Sequence, residues 1–214
     1  GSINAVYDLL AQHGAYVVGE QLVKVEHCLA VLPGTKIEDL SAVYSHEQGF
    51  FQSEAFLAEH SEWQQHAVLN TAAAAKKVAE GKSRAQAAIC SRRAAKLYGL
   101  EILCEEINTS KDNFTRFFIV SKAMEIRAGS DKVSLMFTLP HEPGTLNSIL
   151  GILAVHQMNM LRLESRPMPG KSWEYRFFVD VQGNLRDEAW NSVLFEILEN
   201  TLTLRILGNY RKGA

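Results

Sequence analysis

Val133-Ser-Leu-Met-Phe-Thr-Leu139, followed by Gly144-Thr-Leu-Asn-Ser-Ile-Leu-Gly-Ile-Leu-Ala-Val-His156, opens the stretch that decides the fold of the second half of the chain. The first segment reads as a strand and the second as a helix. The series continues with strands over 159–165 and 173–182, a helix over 187–199 and a strand over 203–208. That βαββαβ order predicts a ferredoxin-like unit, a fold whose presence alone says nothing about function. Ahead of it, 115–122 predicts a strand, and the polar segment 123–131, which carries Gly129-Ser130, predicts a linker.

The first half alternates helix-like and strand-like segments. Residues 3–12 read as a helix ended by Gly14, and 15–20 and 22–32 carry the β-branched alternation of strands before a Pro33-Gly34 turn. A strand over 40–44, a helix over 46–60 and a strand over 63–69 follow. The Ala-rich helix over 71–80 has Asn70 or Thr71 as its N-cap. Residues 85–90 predict a buried strand, and Ser91 caps a helix that runs to Tyr98 and stops at Gly99. Strands and helices alternating at these lengths predict βαβ units around a mainly parallel sheet. No strand-like segment precedes the first helix, so this domain is expected to begin in mid-motif.

Composition removes several classes of function. The chain is 47% hydrophobic and 21% charged, as in ordinary globular proteins. Its 22 basic and 24 acidic residues give a net charge of −2, with no polybasic run to attract nucleic acid. Cys28, Cys90 and Cys104 form no CxxC pair and read as reduced thiols, and the seven histidines show no HxxxH spacing, so no metal site is expected. No apolar run approaches the roughly 18 residues of a membrane span, and no signal peptide is visible, which makes a cytoplasmic location the expectation.

Asp112-Asn-Phe-Thr-Arg-Phe-Phe-Ile-Val is the most informative stretch for chemistry. On a strand, Thr115, Phe117 and Ile119 face one way while Arg116, Phe118 and Val120 face the other. A strand with two apolar faces accounts for the composition, but not for Asn113, Thr115 and Arg116 crowding polar groups at one strand entrance. Asn-Phe-Thr-Arg-Phe resembles the Thr-Arg-Phe signature of prephenate dehydratases. Further pieces agree in order: Gly1-Ser-Ile-Asn-Ala-Val-Tyr-Asp-Leu-Leu, Val18-Gly-Glu with His27-Cys-Leu, Tyr44-Ser-His-Glu-Gln followed by Gln52, Asn70-Thr-Ala-Ala-Ala-Ala, and Ala94-Ala-Lys-Leu-Tyr-Gly-Leu. In the second domain, Leu163-Glu-Ser-Arg-Pro resembles the phenylalanine-binding motif of that family's regulatory ACT domain, and Gly144-Thr-Leu stands where Gly-Ala-Leu is usual. Departures are Glu47 for a proline and Cys90-Ser-Arg-Arg for Gly-Ser-Glu. The family's opening Gly-Pro-Gly-Thr and Glu-Asn-Ser motifs are expected before Gly1.

The resemblance implies an α/β protein: an incomplete two-lobed, periplasmic-binding-protein-like catalytic domain over 1–122, a linker over 123–131 and a ferredoxin-like ACT domain over 132–214. It implies conversion of prephenate to phenylpyruvate, carbon dioxide and water, without cofactor or metal, under feedback by L-phenylalanine. The parent protein is expected to be a prephenate dehydratase alone or a bifunctional chorismate mutase/prephenate dehydratase. Thr115 is the expected catalytic residue, and Ser45, Gln48, Gln52 and Asn113 are expected to bind substrate. Ser45 reads equally well as an N-cap for the helix that follows. Arg116 is expected in a structural ion pair, and His27 and His46 in structural roles. Gly144, Thr145, Leu146, Glu164, Ser165 and Arg166 are the expected phenylalanine contacts, although a plain ion pair between Glu164 and Arg166 also fits. A homodimer or homotetramer is expected, with prephenate and L-phenylalanine as ligands and neither nucleic acid nor membrane as a partner. The alternative reading is a catalytically incomplete fragment that serves only as a phenylalanine-binding module.

Overall fold

The computed structural model describes residues 4–168, 170 and 173–213. In chain order the elements are α1 (Asn4–His13), β1 (Tyr16–Lys24), β2 (Cys28–Val31), β3 (Ala42–Ser45), α2 (Glu47–Gln52), α3 (Glu54–Ala58), β4 (Gln64–Ala67), α4 (Thr71–Gly81), β5 (Gln86–Cys90), α5 (Arg92–Leu97) and β6 (Glu101–Cys104). They continue with β7 (Phe114–Ser121), β8 (Lys132–Thr138), α6 (Thr145–Val155), β9 (Met160–Pro167), β10 (Tyr175–Gln182), α7 (Ala189–Glu199) and β11 (Thr203–Tyr210). The chain forms two compact units, Val23–Thr115 and the remainder, and it passes from one to the other within β1 and again within β7. Among the described residues, no helix is long and apolar enough to cross a membrane.

The unit Val23–Thr115 is built on a five-stranded sheet in the order β4-β3-β5-β2-β6. β3 pairs in parallel with β4 and β5, whereas β2 pairs antiparallel with β5 and β6. The sheet is therefore mixed, which corrects the expectation of a mainly parallel one. Parallel neighbours need a crossover, and α2–α3 and α4 supply it for β3, β4 and β5. β2 is entered and left through segments without an α-helix, so nothing forces it parallel. β6 was not expected at all: its four residues form an edge strand, none of them fully buried, and they show no clean alternation.

Alternation along β5 sets the two faces of this sheet. Ala88 and Cys90 join Ala74, Ala75 and Val78 of α4 and Ala94 and Ala95 of α5 in one core. Ala87 and Ile89 join Leu29, Val43, Leu57 and Trp63 in the other. Small side chains let α4 approach closely: Ala74 and Ala75 are fully buried. Asn70 is its N-cap, with Oδ1 accepting from Ala73 N at 2.8 Å, and Ser91 Oγ caps α5 through Ala94 N at 3.2 Å. The expected helix over 46–60 is two short helices, broken at Ser53.

The other unit contains a four-stranded antiparallel sheet in the order β11-β8-β10-β9, the ferredoxin-like arrangement expected from the βαββαβ order. Val133, Leu135 and Phe137 alternate onto one face, where Val179, Val181, Ile149, Leu153, Trp190, Val193 and Ile197 complete a core with α6 and α7. The opposite face is covered by Tyr7 of α1 and Phe118 of β7, which pack on Met136, Phe178 and Leu207. β1 crosses β11 so closely that a Cβ on Gly208 would stand 2.0 Å from Val17 O, so this position tolerates no side chain.

Candidate active site

Asn113 O accepts from Val25 N at 2.8 Å, which carries the pairing of β1 with β7 beyond the formal start of β7. Asn113 and Thr115 are thus alternate residues of one extended run and share a face. Gln52, at the end of α2, donates from Nε2 to Asn113 Oδ1 at 3.5 Å and accepts at Oε1 from His27 Nε2 at 2.7 Å. Asn108 holds the turn that presents His27: its Oδ1 accepts from His27 N at 2.7 Å and its Nδ2 donates to Val25 O at 3.1 Å. His27 is 5% exposed, and both its Nδ1 and Asn113 Nδ2 are buried with no partner among the described residues. A Gln oxygen only accepts, so Nε2 carries a proton and donates it to Gln52. The cluster therefore ends in an unused amide donor and an unused ring nitrogen, which is unusual for buried polar groups.

Ser45 closes β3, fully buried, and its hydroxyl donates to Ile89 O at 3.0 Å. It is not the N-cap of α2, which corrects that half of the expectation. His46 takes the role, accepting at Nδ1 from Gln48 N at 3.1 Å, because β3 directs residue 45 inward and leaves residue 46 at the helix entrance. A Cβ on Gly49 would stand 2.3 Å from Ser45 Oγ. Gly49→Ala is expected to push Ser45 off Ile89 and to cost about 1–3 kcal/mol by overpacking, measured as a lower urea midpoint. Gln48 is exposed, apart from the His27–Gln52–Asn113 cluster in its contacts.

Arg116 behaves as the expected structural ion pair. Its Nη1 lies 2.7 Å from Asp180 Oδ2 and its Nε 3.1 Å from Glu20 Oε2, and the guanidinium stands over the Phe118 ring at 4.4 Å. Burial disfavours its charge, but the Asp180 and Glu20 carboxylates help to outweigh that, and its pKa is raised above the ordinary value.

The second group of expected binding residues lies on the ferredoxin-like sheet. Gly144 precedes α6 with φ +87°, and Thr145 Oγ1 donates within 3.1 Å of Pro140 O and Glu142 O, which ties the loop to the helix. Leu146 packs against the core under α6 and α7. In β9, register opposite β10 sets Leu163 and Ser165 on the helix-covered face and Glu164 and Arg166 on the other. Glu164 pairs with Arg162, and Arg166 Nη2 reaches Asp8 Oδ2 at 2.9 Å, so the Glu164–Arg166 pair does not form. Both outcomes follow from strand geometry, which leaves each residue beside a different partner on the same face. Within one chain, Gly144, Thr145 and Leu146 are thus separated by the sheet from Glu164 and Arg166.

The family model described as prephenate dehydratase matches residues 1–125, and that of the ACT domain matches 133–194. The chain belongs to the prephenate dehydratase family. A bifunctional chorismate mutase/prephenate dehydratase of Enterobacter agglomerans is 38% identical over 98% of this chain and 55% of its own length. Among solved structures, a prephenate dehydratase from Arthrobacter aurescens in complex with L-Phe is 31% identical, with a TM-score of 0.86 over 99% of this chain and 71% of that one. A structure described as a novel type of quorum quenching acylase, GqqA, matches at 30% identity and a TM-score of 0.86, covering 100% of this chain and 78% of that one. The chain spans about half the length of the curated relatives it matches, 55% in the first of them. The expected α/β class, a catalytic domain followed by an ACT domain, agrees with these matches.

Of the family residues expected at the site, the structure gathers Gln52 and Asn113 and sets Thr115 on the same strand face. His27 and Asn108 join them, and sequence reasoning had assigned neither to the site. The only local signal for His27 was its place in the His27-Cys-Leu match, which says nothing of which way the ring points.

Proposed function

We propose that the protein is a prephenate dehydratase, converting prephenate to phenylpyruvate, carbon dioxide and water in the cytoplasmic synthesis of L-phenylalanine. The observation that supports this most directly is the buried His27–Gln52–Asn113 cluster, whose free donor sits on the face shared with Thr115. Aromatisation of the ring drives the reaction, so the protein has only to help hydroxide depart and to keep water from the carboxylate that is lost. Thr115 supplies a neutral hydroxyl to polarise the leaving group, a form of general-acid assistance. Gln52 and Asn113 orient substrate oxygens, and Ser45 and Gln48 are assigned to substrate binding on the resemblance alone. An acylase reading finds less support: the Ser45 hydroxyl donates to a backbone carbonyl and His27 Nε2 is committed to Gln52, so neither forms a nucleophile–base pair.

In this reading residues 1–122 belong to the catalytic domain, 123–131 to a linker and 132–214 to an ACT domain that binds L-phenylalanine through Gly144, Thr145, Leu146, Glu164, Ser165 and Arg166. Their division between two faces of one sheet supports a site completed by a second copy, and hence a homodimer or a tetramer built from it. Feedback then means that phenylalanine binds the less active arrangement more tightly.

Phenylpyruvate formation from prephenate, with and without L-phenylalanine, tests the proposal. Turnover that phenylalanine suppresses is the expected result. A folded chain that binds phenylalanine without any turnover would leave the regulatory-module reading. At a hundred times its Kd, L-phenylalanine should stabilise the protein by about 2.7 kcal/mol, visible as a raised melting temperature. An unchanged melt would remove the sensor.

A further inference from the structure

We infer that His27 is a positioning residue of this site, acting through two amides rather than on the substrate. This rests on the dehydratase reading of Thr115 and Asn113. An Asn or Gln amide is chemically two-ended, and its orientation is set only by what it bonds. His27 Nε2–H reaches Gln52 Oε1 at 2.7 Å, which turns the Gln52 nitrogen toward Asn113. Gln52 Nε2 then takes Asn113 Oδ1 at 3.5 Å, which leaves Asn113 Nδ2 free, buried and on the Thr115 face. Without the histidine proton, either amide is free to turn over, and the face beside Thr115 would present an oxygen instead of a donor. An oxygen there repels a carboxylate or a departing hydroxide, whereas an N–H stabilises it.

The turn itself is built to hold the ring. His27 is clamped by backbone bonds on both sides, from its N to Asn108 Oδ1 at 2.7 Å and from Ile107 N to its O at 3.0 Å. A buried ring needed only for packing has no reason to leave Nδ1 without a partner, since a leucine or phenylalanine fills the same space without stranding a polar atom.

The role separates from acid–base catalysis by substitution. His27→Gln places an amide donor near the position of Nε2 and does not titrate, while His27→Leu removes the donor. With prephenate as substrate, His27→Leu is expected to lower kcat about a hundredfold, the scale of a small misplacement at a reacting centre. His27→Gln should recover to within about tenfold of the parent and keep the shape of its pH–rate profile. In the parent chain, long-range 1H–15N NMR should show a proton on His27 Nε2, the nitrogen that faces Gln52 Oε1. The Asn113 side-chain amide signals should move in His27→Leu and stay in His27→Gln.

The idea is overturned if the Gln and Leu variants, both folded, lose activity equally, if the Gln variant loses a limb of the pH profile, or if the ring carries its proton on Nδ1. The NMR readings need no turnover, so they decide the positioning role even where a silent parent enzyme has refuted the dehydratase reading. Should His27→Leu fail to fold, the parent tautomer and the Gln variant still decide between positioning and acid–base chemistry.

Discussion

Thr115→Ala is expected to lower prephenate turnover by about 10²–10⁴-fold, the range for removing general-acid assistance from a positioned group. The substitution is small in every other respect. Thr115 is half-buried near the start of β7, its neighbours Phe114 and Phe117 are exposed, and alanine keeps the strand at a propensity cost of about 1 kcal/mol or less. A loss of rate that large is therefore not explained by unfolding, and melting temperature recorded alongside the kinetics separates the two. Because the hydroxyl is needed where charge develops on the leaving oxygen, the loss should fall on kcat far more than on KM. Thr115→Ser keeps the hydroxyl and should retain activity within about tenfold, the difference reflecting the freer rotamer of serine. Near-normal turnover in the alanine variant would remove Thr115 from the mechanism.

Arg116→Met should destabilise the unit that holds the ferredoxin-like sheet by about 3–5 kcal/mol, the cost of stranding buried charges. The guanidinium lies between Asp180 and Glu20, whose side chains are 9% and 2% exposed. Glu20 also receives Lys132 Nζ at 2.5 Å, and Asp180 receives the Ser134 hydroxyl at 2.5 Å, which in turn meets Tyr210 Oη at 2.7 Å. Burial raises the Tyr210 pKa far above its ordinary value, so that hydroxyl stays neutral and adds no further negative charge to the cluster. Two carboxylates would then share one lysine. Urea unfolding measures the effect, and Arg116→Met combined with Asp180→Asn should recover part of the loss because one stranded charge is gone. A loss below about 1 kcal/mol in the single variant would show that water replaces the guanidinium. The strand thus carries a proposed catalytic hydroxyl at one residue and a structural cation at the next, on opposite faces.

Much of the fold was legible because its signals are local. The order of β8, α6, β9, β10, α7 and β11 follows from periodicities that span one element at a time, and Ser91, Asn70 and Gly99 act within a turn of their own helices. The same locality explains the failures. Whether β2 runs parallel or antiparallel depends on which strands it meets, and no residue of Cys28–Val31 records that. Ser45 lost the cap to His46 because the pleat of β3, fixed by neighbours on both sides, aims residue 45 into the sheet. Glu164 and Arg166 look like natural partners in the sequence, yet each meets a closer charge, one of them 158 positions away.

The candidate site divides in the same way. The residues Thr115, Asn113 and Gln52 can be named from the chain, since a motif preserves identity and spacing. Their convergence with His27 joins positions 25 and 61 apart, and the direction of two amides and one tautomer follows from that meeting. Identity and periodicity are properties of a chain, readable wherever they act within a few residues. Hydrogen-bond direction and the pairing of buried charges depend on distance in space, and they exist only once the strands have closed on one another.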